Sequence, residues 1–204
     1  MDKKLLFIVN PRAGRTKSFA PLFDAVACFS KAGYLVKVFL TEGRGDATRA
    51  AAELGGAYDL VVCAGGDGTF NEMVSGLMQL DHPPVLGYIP FGSTNDCATT
   101  LRLPRDPVKA AQTASETGVP RPWDIGRLNG RPFVYVAAFG AFTEVSYDTP
   151  QDLKNTFGHL AYVMAGIASL PSITPYHLRI ECDDQVLEDD FFYGMVCNTI
   201  SVGG

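Results

Sequence analysis

"VVCAGGDGTFNE", residues 61–72, decides the fold: an apolar run breaks into glycines and then enters a helical stretch in which Phe70, Met73, Val74, Leu77 and Met78 recur at helical spacing. Such a helix entrance favours phosphate, because unpaired backbone N–H groups and the positive end of the helix dipole face outward. Asp67 stands in the middle of it. At ~4 Å, with an effective dielectric of about 20, its carboxylate repels a phosphate charge by about 4 kcal/mol. An acid in a phosphate cradle needs a physical reason.

Upstream and downstream, the first 118 or so residues alternate strand-like runs with helical periodicity, the pattern of βαβ units and a mostly parallel sheet. Strands are predicted at "LLFIVN" (5–10), "YLVKVFL" (34–40), "YDLVVCA" (58–64) and "VLGYIP" (85–90). Between the first two, Phe19, Leu22, Phe23, Val26 and Phe29 are expected to lay one apolar helix face on the sheet. Pro120 and Pro122 mark a linker. Beyond it the sequence is β-rich, with Asn129-Gly130 as a hairpin turn and one helical stretch from about Gln151 to Leu170. The expected organisation is an α/β, Rossmann-like nucleotide domain over 1–122 and an incomplete β-rich, sandwich-like domain over 123–204.

The chain has 204 residues, 47% of them hydrophobic, enough for a substantial core. Its 17 Lys plus Arg against 22 Asp plus Glu give a net charge of −5, which argues against nucleic acid as the main partner. The five cysteines lack CxxC spacing, and their odd number leaves one outside any disulfide scheme, so a reducing, cytoplasmic setting is expected. The Leu5–Val9 run is too short for a signal-peptide core, and "LAYVMAGIASL" (160–170) falls well short of the ~20 residues that cross a bilayer. No transmembrane segment is expected.

Three strand-to-helix junctions carry phosphate-compatible residues, and in a parallel sheet such junctions gather along one edge. In "NPRAGRTK" (10–17), Gly14 permits close backbone approach while Arg12, Arg15 and Lys17 supply charge; a plain turn with solvated basic residues is the alternative. In "GGDGTFNE" (65–72), Gly65, Gly66 and Gly68 surround Asp67, and Thr69 and Glu72 stand in capping-box spacing, so both can serve merely to close the helix start. In "PFGSTNDCA" (90–98), Gly92 precedes Ser93, Thr94, Asn95 and Asp96, whose polar groups suit phosphate, although Ser93 is equally a plausible N-cap.

"GGDGTFNE" followed by "PFGSTNDCA" resembles the diacylglycerol kinase catalytic domain family of lipid kinases. "NPRAG", "TEG" (41–43), "AFGAFTEVSYDTPQDLKNTFGHLAY" (138–162) and "NTISVGG" are similar to bacterial soluble members. GGDGT alone is shared with NAD kinases and phosphofructokinases; joined to "PFGSTND" it is far more specific. The resemblance implies ATP-dependent phosphorylation of a lipid hydroxyl, as in phospholipid biosynthesis. It places Asn10, Pro11, Arg12, Ala13, Gly14, Thr41, Gly65, Gly66, Asp67, Gly68, Thr69, Phe70, Asn71, Glu72, Ser93 and Thr94 around ATP. Asp96 and Asp124 are matching acids that would join Asp67 around Mg²⁺ through water, with a turn-forming acid at a domain junction the equal alternative for Asp124, and Lys154 lies in a matching "LKN" segment where a helix-surface lysine is the plainer reading.

A hydrated Mg²⁺ would also reconcile Asp67 with triphosphate, because the ion reverses the local sign and usually keeps several waters. Alternatively Asp67 would accept the substrate proton, as kinase acids do. Members of the family generally continue beyond "SVGG" and supply further metal-binding acids and a glutamate proton acceptor there. The resemblance therefore implies a chain that binds ATP weakly, turns over lipid negligibly and self-associates through an unpaired sheet edge. The leading expectation is a lipid kinase that visits the inner membrane surface. A kinase of a soluble substrate and a non-catalytic nucleotide-binding remnant are the rivals.

Overall fold

The computed structural model describes residues 3–14, 20–140, 174–200 and 202. The expectations placed on Arg15, Lys17, Phe19, the 151–170 helical stretch with Lys154, and Gly203-Gly204 lie outside them. The chain divides into two compact units, residues 1–135 with 197–204, and residues 136–196.

Four parallel strands form the heart of the first unit: β1 (Lys3–Val9), β2 (Tyr34–Leu40), β3 (Leu60–Gly65) and β4 (Val85–Pro90), in the order β2-β1-β3-β4. The two central strands are apolar without alternation, as strands covered on both faces must be. Their side chains divide between two cores. Leu5, Phe7, Val9, Leu60, Val62 and Ala64 face one side, where Ala25 and Phe29 of α1 (Ala20–Lys31) and Ala110 and Ala111 of α5 (Pro107–Gln112) cover them. Leu6, Ile8, Val61 and Cys63 face the other, under α2 (Asp46–Leu54) and α3 (Asp67–Leu77).

The α1 face differs from expectation at one position. Phe23 is 74% exposed, whereas Ala25 and Phe29 are buried and the Phe29 ring meets Phe7 edge-on at 5.3 Å. A small residue lets the helix approach the sheet closely, and Phe23 turns out of that contact. Met78, expected on the buried face of α3, is likewise exposed: it follows the last helical residue.

Helices α2 and α3 meet through small residues. A Cβ on Gly76 would lie 2.7 Å from Ala51 Cβ and 3.0 Å from Ala52 N, distances a packed interior does not accommodate. Gly76→Ala is expected to cost about 2 kcal/mol by overpacking, measured as a lower urea midpoint with an unchanged slope.

After the linker, β5 (Gly126–Leu128) and β6 (Arg131–Phe133) form the hairpin foreseen from Asn129-Gly130, and both turn residues take positive φ, 48° and 80°. The chain returns to the first unit at its far end. Asn198 donates its amide to the Asp124 carbonyl at 2.7 Å and its N–H to the Tyr135 carbonyl at 2.9 Å, while the Ile200 N–H donates to Thr100 Oγ1 at 3.2 Å.

In the second unit β7 (Val136–Gly140) pairs with β10 (Tyr193–Cys197), and β8 (Tyr176–Cys182) pairs antiparallel with β9 (Gln185–Phe191). On the hairpin, His177 Nδ1 lies 2.9 Å from Asp190 Oδ1 and Nε2 lies 3.6 Å from Glu188 Oε1. The hydrogen bond to Asp190 raises the His177 pKa above 6.5, and the other acids add to it. A raised folded-state pKa means that the pair's contribution is full below pH 6.5 and is lost as pH climbs through the folded value. The NMR titration midpoint of His177 should lie above 6.5, and Asp190→Asn should bring it down.

Candidate functional site

All four strands end on the same edge of the sheet, and the chain reverses its direction of travel between β1 and β3, the place where open α/β sheets take ligands. Asn10 sits there. Its N–H donates to the Ala64 carbonyl at 2.9 Å, its Oδ1 accepts the Arg12 N–H at 2.9 Å, and its Nδ2 donates to Thr69 Oγ1 at 3.0 Å. The first turn is thereby fastened to the second. Gly14, at φ +78°, has its α-hydrogen side against the Phe91 carbonyl, so the first turn also lies against the third. Thr41 is buried beside them, its N–H donating to the Val9 carbonyl at 2.9 Å.

The second turn begins the helix earlier than capping chemistry suggests. The N-cap of α3 is Gly66, in extended conformation and without a side-chain cap, so the expected Thr69–Glu72 capping box does not form. Thr69 is the third helical residue, and its hydroxyl oxygen is taken by Asn10. Gly65 leaves room for that hydroxyl, since a Cβ there would lie 2.7 Å from Thr69 Oγ1.

Gly66 and Gly92 face each other closely. A Cβ on Gly92 would come within 2.5 Å of Gly66 Cα, so each turn needs the other's lack of a side chain. Gly68 is different: among the described residues, its chain neighbours and its own helix backbone aside, no atom lies within 4 Å of where its Cβ would stand, and its φ is not positive. Nothing in the described protein requires glycine there.

Asp67 has a clear task. Its Oδ2 accepts the Asp96 N–H at 3.1 Å and its Oδ1 accepts the Cys97 N–H at 2.9 Å. These are the first two residues of α4 (Asp96–Thr100), so a carboxylate from one turn caps the helix that leaves the other. The N-cap position itself is held by Asn95, in left-handed conformation at φ 56°, ψ 49°. Ser93 is therefore not the cap; with Thr94 it stays exposed on the turn, and the helix starts too late for it to act.

Several residues expected at the ligand are engaged elsewhere. Phe70 is fully buried, stacked on Tyr88 with ring centroids 4.4 Å apart and on Trp123 at 5.9 Å, because the apolar face of α3 turns it inward. Asn71 Oδ1 accepts the Val134 N–H at 2.9 Å. The Glu72 carbonyl accepts from Thr48 Oγ1 at 3.0 Å.

Asp96 is 1% exposed, and its Oδ2 accepts the Tyr135 hydroxyl at 2.8 Å. Asp124 is exposed and contributes its backbone carbonyl to Asn198. Among the described residues no three His, Cys, Asp or Glu side chains gather to hold one ion, so Asp67, Asp96 and Asp124 do not form a ready-made cage.

Sequence reading missed Tyr88 and Tyr135, and it took Asn95 as a phosphate-compatible amide where the structure uses it to brace Gly92. Tyr88 lies inside an apolar strand run, and its hydroxyl is 3.3 Å from both the Gly65 carbonyl and Asn95 Oδ1. Burial, with the negative charge of Asp67 next, pushes its phenol far above the usual range, so it remains a proton donor. Burial and Asp67 likewise raise the Cys97 thiol. The one available signal was a tyrosine tip within a strand that otherwise reads as core.

The three turns thus form one braced edge with an open face at Gly68 and exposed hydroxyls at Ser93 and Thr94. The family model for the diacylglycerol kinase catalytic domain matches residues 4–128, which hold all three turns.

The chain belongs to the diacylglycerol kinase catalytic domain family.

A diacylglycerol kinase of Bacillus subtilis (strain 168) is 42% identical over 203 residues, covering 99% of this chain and 67% of its own. One from Staphylococcus saprophyticus is 38% identical over 205 residues, covering 100% and 67%. The crystal structure of a diacylglycerol kinase from Bacillus anthracis superposes with a TM-score of 0.80 at 30% identity, again over 100% of this chain and 67% of that one. The chain therefore spans about two thirds of the length of these relatives. Membership in a kinase family implies phosphoryl transfer from a nucleotide. Among the described residues no helix is long and apolar enough to cross a membrane.

Proposed function

We propose that the protein is an ATP-dependent lipid kinase that phosphorylates the hydroxyl of diacylglycerol or a closely related lipid. The observation that carries this reading is Gly68. A glycine in a helix is unfavourable by up to about 1 kcal/mol relative to alanine, and here neither packing nor backbone shape demands it. A ligand that needs close approach to the first turn of α3 accounts for it, and the position at the switch point suits a nucleotide phosphate.

In the transfer, the lipid hydroxyl oxygen forms a bond to the γ-phosphorus while the bond to the β–γ bridging oxygen breaks. ADP leaves, and the hydroxyl proton passes to a general base. The chain's contribution to this step is position. Asn10, Gly14 and Gly65 to Thr69 hold one side of the phosphates, and Gly92 to Thr94 hold the other. Thr41 bounds the site beside β1.

The donor set fits Mg²⁺ carried in with the nucleotide and held through water rather than by a protein cage. Asp67 is oriented for this by the Asp96 and Cys97 N–H groups and the Cys97 thiol, which together leave its carboxylate with acceptor capacity to spare. Asp67 would hold such an ion through water, and the positive charge it would supply would offset a carboxylate–phosphate repulsion of about 4 kcal/mol at ~4 Å. The lipid is met at the inner membrane surface, where a peripheral enzyme can reach a hydroxyl at headgroup level.

The test is calorimetric titration with ATP in magnesium chloride, followed by radiolabelled ATP offered with diacylglycerol, a sphingoid base, NAD and fructose 6-phosphate. Magnesium-dependent uptake and label in the lipid fraction are expected, which sets this reading against the weak binding and negligible turnover that the resemblance implied. Label only in NAD or the sugar phosphate would overturn the lipid assignment.

A further inference from the structure

Asn95 carries more bonds than an N-cap in a surface turn requires. Its Oδ1 accepts the Gly92 N–H at 2.8 Å, and its Nδ2 donates to the Gly92 carbonyl at 2.7 Å, so one side-chain amide holds both polar groups of one residue. The Tyr88 hydroxyl approaches the same Oδ1 at 3.3 Å and the Gly65 carbonyl at 3.3 Å, and its single proton is shared between them. Phe91 completes the frame by donating its N–H to the Gly65 carbonyl at 2.7 Å. Gly92 is thus clamped by Asn95, and the place a Cβ would take on it is already closed off by both Gly66 Cα and Asn95 Oδ1.

We propose that Asn95 is a positioning residue for phosphoryl transfer, fixing the Gly92 turn against the Gly66 turn so that both can address one set of phosphates. The inference rests on the nucleotide reading given above. Asn95 touches no substrate in this assignment; it acts through Gly92 and, by way of Tyr88, through Gly65.

The left-handed backbone offers a sharp control. Asparagine tolerates φ 56° better than most residues, yet glycine adopts it with still less strain. If backbone shape were the whole requirement, glycine would serve at least as well. If the amide clamp is the requirement, glycine keeps the shape and loses the function.

The experiment compares the full chain with Asn95→Gly and Asn95→Asp, reading the thermal midpoint and ATP affinity in magnesium chloride. Asn95→Gly is expected to lose about 10-fold or more in affinity, roughly 1.4 kcal/mol, with its midpoint within a few degrees of the parent. Asn95→Asp keeps an acceptor for the Gly92 N–H but sets a carboxylate oxygen against the Gly92 carbonyl, and is expected to lose at least as much. Parental affinity in either variant overturns the proposal. A midpoint lowered by ten degrees or more in Asn95→Gly also overturns it, since that makes Asn95 a fold residue. If the parent itself takes up no nucleotide, the kinase reading fails instead, which separates the two.

Discussion

Asp67→Asn is expected to reduce lipid phosphorylation by about 1,000-fold or more, and to loosen α4 even when no nucleotide is present. The second half of that expectation comes from the cap. Asparagine has one oxygen for two backbone donors, so if Oδ1 keeps the Cys97 N–H, the amide NH₂ must face the Asp96 N–H. A buried donor left without an acceptor costs about 1–3 kcal/mol. The first half comes from charge: on the proposed function, the neutral side chain could not balance a cation carried in with the phosphates. Hydrogen exchange at the Asp96 and Cys97 amides checks the cap, and a kinase assay checks the charge. Parental turnover in Asp67→Asn would remove the acid from the mechanism altogether.

Gly68→Ala is expected to act in opposite directions on stability and on binding. With open space around the new methyl and ordinary helical φ, the folded protein should gain about 0.5 kcal/mol from the better helix former. On the proposed function, ATP affinity should fall by at least about 100-fold, because the methyl would stand where that reading places the phosphates. Urea denaturation and calorimetric titration measure the two effects separately. Gly92→Ala offers the contrast: its methyl would meet Gly66 Cα at 2.5 Å, so stability and binding should fall together. A Gly68→Ala protein with parental affinity would take away the observation on which the kinase reading rests.

The sheet was legible in the sequence because β1 and β3 are covered on both faces, and such strands show as unbroken apolar runs. The observed β2 and β4 coincide with the predicted 34–40 and 85–90 segments. Helix α2 was harder to see. "DATRAAAEL" buries only alanines, Ala47, Ala50 and Ala51, and small residues at a close helix contact give little hydrophobic signal. The same preference for small contacts misplaced Phe23, where size suggested burial and Ala25 took the place.

At the candidate site, the glycines and polar residues could be found along the chain, but their partners could not. Thr69 reads locally as a capping residue, yet its hydroxyl answers Asn10, 59 positions away. Asp67 reads as a metal or proton site, yet its carboxylate reaches the start of α4, 29 and 30 positions on. Both contacts exist only because parallel strands bring three turns to one edge. Local rules of capping and spacing carry no information about that convergence.

Asn198 and Ile200 have a consequence for how the molecule is made. The first unit is sequentially interrupted: residues 136–196 are inserted between Tyr135 and the segment that binds the Asp124 and Tyr135 carbonyls and the Thr100 hydroxyl. On a ribosome that emits the chain from its N-terminus, the sheet and all three turns emerge well before their closing clasp. A nascent chain paused anywhere in the insertion therefore carries a nearly finished first unit with its last hydrogen-bond acceptors still solvated, and completion waits for a few residues near position 200.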